Sequence, residues 1–260
     1  MDAVPGRKRL VVGIRQQDGQ HDLLQQRERH VGWIGYPNGL VIRKAMLKIC
    51  GIADPVFACV AAEGGVDYLG FIFASGSPRG IEPARAAEIV SAVRGGRSIP
   101  RMVGVFTLRP VADVLCVADE VGFDVVQLHG RFSAEDVAAV KVTGREVWLL
   151  DDGGDPGVTA ADGILIDGVK GNLVGGTGER SDWSRVAVVQ AAGKKAILAG
   201  GLSAANIAAA RATGADVLDV NSSLETSPGV KSAELLAELL VAARSAGPRT
   251  NGRFPTRPVP

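Results

Sequence analysis

From Met46 onward the chain alternates short runs rich in Val, Ile and Leu with longer Ala-rich stretches whose apolar residues return at helical spacing. The runs predict eight strands, over residues 47–50, 68–73, 102–106, 125–129, 147–150, 164–167, 196–199 and 217–220. Helices are predicted over 55–63, 83–94, 110–121, 134–140, 183–192, 204–213 and 233–245. Several open with proline in the first turn, with Asp54, Glu82 or Ser203 just ahead as a cap. Between the fifth and sixth strands, Asp151-Asp152-Gly153-Gly154-Asp155-Pro156-Gly157 reads as loop or a single turn, so the fifth helix should be reduced or absent. Eight apolar strands with helical crossovers point to an α/β fold, a (β/α)8 TIM barrel.

Residues 1–45 do not continue this rhythm, being broken by Gly13, Gly19, Gly32, Gly35, Pro37 and Gly39. The expected organisation is an N-terminal extension over 1–45, mostly irregular, a catalytic barrel over 46–247 and a disordered tail over 248–260, where four prolines fall without apolar periodicity. The barrel is complete from Met46, which is therefore the expected working start.

The chain's 260 residues, 46% of them apolar, suffice for one large core. The net charge of +1 hides an uneven distribution: residues 1–45 hold eight Lys/Arg against four Asp/Glu, and the tail adds Arg249, Arg253 and Arg257. The body between them holds 18 basic and 24 acidic residues, a net −6, which argues against nucleic acid as a partner because phosphate binding needs a basic face. No run reaches the roughly 18 apolar residues of a membrane span. Cys50, Cys59 and Cys116 show neither CxxC spacing nor an even count, which argues against a disulfide framework or a zinc site and fits a reduced cytoplasmic compartment. The exterior helices carry no extra apolar stripe that would reveal an oligomeric state.

In a barrel of this type the loops after the strands form the active face. Gly175-Gly176-Thr177-Gly178, Gly200-Gly201 and Ser222-Ser223 fall after neighbouring strands, where backbone N–H groups and hydroxyls make a phosphate nest. Cys50 ends the first strand beside Lys48. A lone strand cysteine is commonly inert core, but a thiol facing the mouth could act as base or nucleophile once deprotonated. Asp167 ends the apolar run Ile164-Leu165-Ile166, where a carboxyl is costly unless it caps loop amides or has a role. An opposed thiol and carboxyl suit proton shuttling within one substrate, the logic of an isomerase. Arg79, ordered by Pro78, could grip a planar carboxylate through its fork of donors.

Lys48-Ile49-Cys50-Gly51, Gly70-Phe71-Ile72-Phe73 followed by Ser77-Pro78-Arg79, Val103-Gly104-Val105-Phe106, Gln127-Leu128-His129-Gly130, Gly175-Gly176-Thr177-Gly178, Leu198-Ala199-Gly200-Gly201-Leu202 with Asn206, and Glu225-Thr226-Ser227-Pro228-Gly229-Val230-Lys231 together resemble the phosphoribosylanthranilate isomerase family, in order and from Leu47 to about Leu240. The resemblance implies an Amadori rearrangement in tryptophan biosynthesis, from N-(5-phosphoribosyl)anthranilate to 1-(2-carboxyphenylamino)-1-deoxyribulose 5-phosphate, a small phosphosugar substrate, with no metal or organic cofactor. It implies Asp167 as general acid and Cys50 as general base. Arg79 would hold the anthranilate carboxylate, Asp219 would lie near the sugar hydroxyls and His129 would line the pocket. Gly176, Gly178, Gly200, Gly201, Ser222 and Ser223 would bind phosphate.

Two departures stand out. Asp219-Val220-Asn221-Ser222-Ser223-Leu224-Glu225 carries Ser223 where the family usually has glycine, and strain follows if that position needs positive φ. Asp167 is followed by Gly168 where the family usually has a small residue such as Ser. Asn221 and Ser223 keep in view a related phosphosugar isomerase with a shifted or dual substrate; the other alternative is a non-catalytic phosphate-binding relative, against which intact Cys50, Asp167 and Arg79 count.

Overall fold

The computed structural model describes residues 33–35, 41–43, 45–107, 109–168 and 181–245. Eight parallel strands close into a barrel: β1 (Met46–Cys50), β2 (Tyr68–Phe73), β3 (Arg101–Phe106), β4 (Val125–Leu128), β5 (Glu146–Leu150), β6 (Gly163–Ile166), β7 (Lys195–Leu198) and β8 (Val217–Val220). Each pairs with its sequence neighbour, and β8 closes the ring on β1 with Val217 opposite Met46 and Val220 opposite Ile49. The surrounding helices are α1 (Pro55–Glu63), α2 (Pro83–Arg94), α3 (Val111–Val121), α4 (Ala134–Lys141), α5 (Arg185–Ala191), α6 (Ile207–Arg211) and α7 (Ala233–Ser245). After β8 a small antiparallel pair, β9 (Glu225–Ser227) and β10 (Val230–Lys231), precedes α7.

The connection from β5 to β6 holds a single 3-10 turn, Pro156–Val158, whose start is fixed by Asp155 accepting from the Gly157 N–H at 2.8 Å, so the fifth helix is reduced as expected. Asp54 caps α1 through the Phe57 N–H at 2.6 Å. Glu82 makes no side-chain cap to α2. Ser203 is not a cap either, because α6 starts later than expected, at Ile207. The Asn206 side chain instead accepts from the Ser203 N–H and donates to the Gly201 carbonyl, spending the first turn on the loop after β7.

Two apolar layers build the core. One lies between strands and helices and includes Phe71, Phe73, Phe106 and Phe123, whose rings pack with centroids 5.0 to 6.3 Å apart. The other fills the lumen, with Met46, Tyr68, Val103, Val125, Trp148, Leu165, Ile197 and Val217, one from each strand in turn. Because side chains alternate along a strand, Lys48 and Cys50 follow Met46 on the lumen face of β1. Ahead of the barrel, Trp33–Gly35 pairs antiparallel with Val41–Arg43. The other expectations for residues 1–44 and those for 248–260 fall outside the described residues.

Candidate active site

The C-terminal ends of the strands open into a cavity of about 1040 Å³. Cys50, Arg79, His129, Asp167 and Asp219 all line it, as do Gly200, Gly201 and Ser222. The fold thus gathers on one rim groups spread over some 170 residues of sequence. Gly176 and Gly178 lie outside the described residues.

Asp167 follows the last residue of β6 and accepts from the Gly168 N–H at 2.8 Å. Burial, reinforced by the negative charge of Asp219, pushes its carboxyl up to about 6, against the pull of the Gly168 N–H and of Lys48. A carboxyl with that value can carry a proton near neutrality, which an ordinary aspartate cannot. Cys50 is 5% exposed. Burial raises its thiol above the usual value, while the Lys48 charge works in the opposite direction. His129 is pushed down to about 4 by burial and by the nearby Lys48 charge, so its imidazole is neutral at pH 7.

Asp219, on β8, reaches Lys48 Nζ at 2.6 Å through Oδ2, and Gln127 Oε1 accepts from the same ammonium at 3.0 Å. Lys48 is completely buried. Burial alone would lower its ammonium, but Asp219 and Cys50 together outweigh that and hold it charged. The second oxygen of Asp219 and Nδ1 of His129 are buried without a hydrogen-bond partner among the described residues. Both side chains line the cavity, so each has a polar atom available to a bound molecule.

Arg79 stands in the loop after β2. Its Nε and Nη2 donate to Glu225 at 2.8 and 2.9 Å, a bidentate pair. Glu225 also accepts from Lys231 Nζ at 2.9 Å, and Lys231 reaches the backbone and side-chain oxygens of Asn221 at 2.9 and 2.7 Å. Burial works against the Glu225 charge, yet Arg79 and Lys231 hold its carboxyl down to about 2. Glu225 occupies only one edge of a guanidinium that has five N–H donors, so Arg79 is fixed in orientation with donors to spare.

Gly200 and Gly201 follow β7 with φ of 84° and 66°, a conformation open to glycine at little cost and one that turns successive N–H groups toward the same side. Ser222 begins a 3-10 turn, Ser222–Leu224. Ser223 lies inside that 3-10 turn, a conformation that any L-residue adopts, so the expected strain is not present. Its hydroxyl donates to the Leu202 carbonyl at 2.6 Å, which takes the side chain out of the cavity lining.

Sequence reasoning did not assign roles to Lys48, Gln127, Asn221, Glu225 or Lys231. Lys48 carried the same signal as Asp167, an ionised group inside an apolar strand, Met46-Leu47-Lys48-Ile49-Cys50.

Residues 47–242 match the family model for N-(5'-phosphoribosyl)anthranilate (PRA) isomerase. The N-(5'-phosphoribosyl)anthranilate isomerase of Rubrobacter xylanophilus is 37% identical over 209 residues, which cover 77% of this chain and 100% of the relative. Among solved structures, phosphoribosyl anthranilate isomerase from Thermus thermophilus superposes with a TM-score of 0.69 at 34% identity, covering 77% of this chain and 98% of that one. A phosphoribosyl anthranilate isomerase in complex with reduced 1-(o-carboxyphenylamino)-1-deoxyribulose 5-phosphate superposes with a TM-score of 0.65 at 26% identity, covering 77% and 99%. In sequence and fold, this chain belongs to the N-(5'-phosphoribosyl)anthranilate isomerase family.

Proposed function

We propose that the protein converts N-(5'-phosphoribosyl)anthranilate to 1-(2-carboxyphenylamino)-1-deoxyribulose 5-phosphate with Asp167 as general acid and Cys50 as general base. The observation that carries this reading is a carboxyl pushed up to about 6 just after β6 and a thiol beside a buried ammonium on β1, lining one cavity. Asp167 gives its proton to the furanose ring oxygen as the C1–O bond breaks, and the anilino nitrogen lone pair forms the C1=N bond of a Schiff base. Cys50 then takes the C2 proton, and that electron pair makes the enolamine. Loss of the C2 hydroxyl proton and protonation at C1 give the ketone.

Arg79 holds the anthranilate carboxylate with the donors Glu225 leaves free. His129 and the second Asp219 oxygen meet the aromatic and sugar portions. Gly176, Gly178, Gly200, Gly201, Ser222 and the Ser223 backbone bind the phosphate. We place this work in the cytoplasm, where the three free thiols of Cys50, Cys59 and Cys116 suit a reducing milieu.

The test is the loss of substrate fluorescence on adding purified protein, with product identity checked by mass. Turnover is expected, with kcat lower by about 10²-fold or more in Asp167→Asn and in Cys50→Ala, the usual scale for a positioned proton-transfer group. Near-normal turnover in either variant would remove its assigned role, and no turnover in folded wild-type protein would overturn the reading.

A further inference from the structure

A bare α-carbon marks the space beside Cys50. Gly70 on β2 is level with Cys50 across the β1–β2 pair, and a Cβ there would come 2.9 Å from the Cys50 Sγ and 3.0 Å from the Lys48 Cε. The thiol and the end of the lysine stem therefore converge on room that only glycine leaves open. The charged groups facing Cys50 come from several elements: Lys48 on its own strand, Asp219 on β8, Lys231 on β10 and Arg79 after β2. Glu225 ties the last two together. This cluster holds three cations, Lys48, Lys231 and Arg79, against two carboxylates, Asp219 and Glu225. One further negative charge balances it.

Two groups lining the same cavity, Cys50 and Asp167, can supply that charge when one proton is divided between them. With the proton on Cys50, an ionised Asp167 is the counterion; with the proton on Asp167, the counterion is the Cys50 thiolate. Only the second arrangement is ready for a reaction that begins with an acid and continues with a base. We propose that Lys48 is a positioning residue for the isomerisation, its buried ammonium holding the charge of the Cys50 thiolate so that the shared proton can reside on Asp167. The proposal rests on the reading of Cys50 as the general base. Its supporting electrostatics are ordered by size: burial raises the thiol most, Lys48 opposes it most strongly, Asp219 adds to the rise and Lys231 counters it.

The experiment follows iodoacetamide alkylation of Cys50 against pH in the full chain without substrate, by peptide mass, with exposed Cys116 as the internal reference. Lys48→Met should slow Cys50 alkylation at pH 8.5 by about tenfold or more, the effect of a thiol pKa raised by one unit. Asp219→Asn, which keeps the shape of its side chain and leaves Lys48 bonded to Gln127, should move the profile the other way and speed alkylation at pH 7. Opposite shifts with an unmoved Cys116 support the proposal, since general loosening of the barrel mouth would accelerate both variants. Profiles that coincide with wild type, or shift in the same direction, overturn it. If Lys48→Met does not fold, Lys48→Gln replaces it, with the same slowing of Cys50 alkylation expected and an unslowed or accelerated profile overturning the proposal. Turnover by Cys50→Ala tests the base assignment separately, so that reading and the role of Lys48 can fail independently.

Discussion

The two ends of the barrel lumen handle buried charge in opposite ways. At the floor, Arg101, Glu146 and Lys195 enter from β3, β5 and β7, the alternate strands that contribute one layer of a barrel core. Glu146 accepts from Arg101 on one oxygen and from Lys195 and the Trp148 Nε1 on the other. Tyr68 packs edge-on to Trp148 at 5.1 Å, and the Arg101 guanidinium lies 5.7 Å from the Tyr68 ring. Burial opposes the Glu146 charge, but Lys195 and Arg101 keep the carboxyl below its ordinary value. At the mouth, the Asp167 carboxyl is pushed up to about 6, His129 is pushed down to about 4, and Asp219 has an oxygen with no partner among the described residues. The floor groups complete one another, whereas the mouth groups are arranged for a molecule that brings its own charges and hydroxyls.

The comparison predicts that the same kind of truncation has opposite signs at the two ends. Glu146→Ala removes the single anion between two half-buried cations and should cost about 3 kcal/mol of stability in urea unfolding, within the range for breaking a buried pair. Its kcat per folded molecule should stay near wild type, because the floor is remote from the cavity. A loss below about 1 kcal/mol would mean that the floor charges contribute little and that the lumen is held by Tyr68 and Trp148 packing alone.

Asp167→Asn should instead stabilise the fold while removing activity. The folded carboxyl is raised from about 3.8 to about 6, so the folded state binds the proton more tightly and is disfavoured once both states ionise. A neutral amide escapes that cost. The gain should be about 1–3 kcal/mol at pH 7.5, shrink as pH falls through 6 and vanish below about 3, under the unfolded value of about 3.8. Equal stability of variant and wild type across that range would show that Asp167 is adequately solvated and is not held ready to donate.

The same contrast explains what was legible in the sequence. The strands showed as runs of Val, Ile and Leu because parallel barrel strands are buried on both faces. Asp167 showed because it ends such a run. Lys48 sits in the middle of one, and its meaning depends on Asp219, 171 residues further on, which no local pattern reveals. Arg79 was readable from its Ser-Pro-Arg turn, yet the carboxylate that orients it is 146 residues away. The late start of α6 was hidden because Asn206 serves the Gly201 loop rather than a helix cap. Local propensity placed the elements; pairing across the barrel decided which charges are structural and which are available.

Ser223 provides the smallest and sharpest test, because it lies where the sequence departs from the family and where the structure removes the expected penalty. Its 3-10 conformation does not require glycine, and its hydroxyl is bound to the Leu202 carbonyl next to the Gly200-Gly201 turn. Ser223→Gly should therefore lose that hydrogen bond and gain backbone freedom in the unfolded chain, costing about 0.5–1 kcal/mol in thermal unfolding. KM for the phosphorylated substrate should remain within about threefold, since the phosphate would be met by backbone N–H groups that the substitution retains. A tenfold drop in KM would mean that the loop reaches a positive-φ form when phosphate binds, and that serine resists the closure glycine would allow.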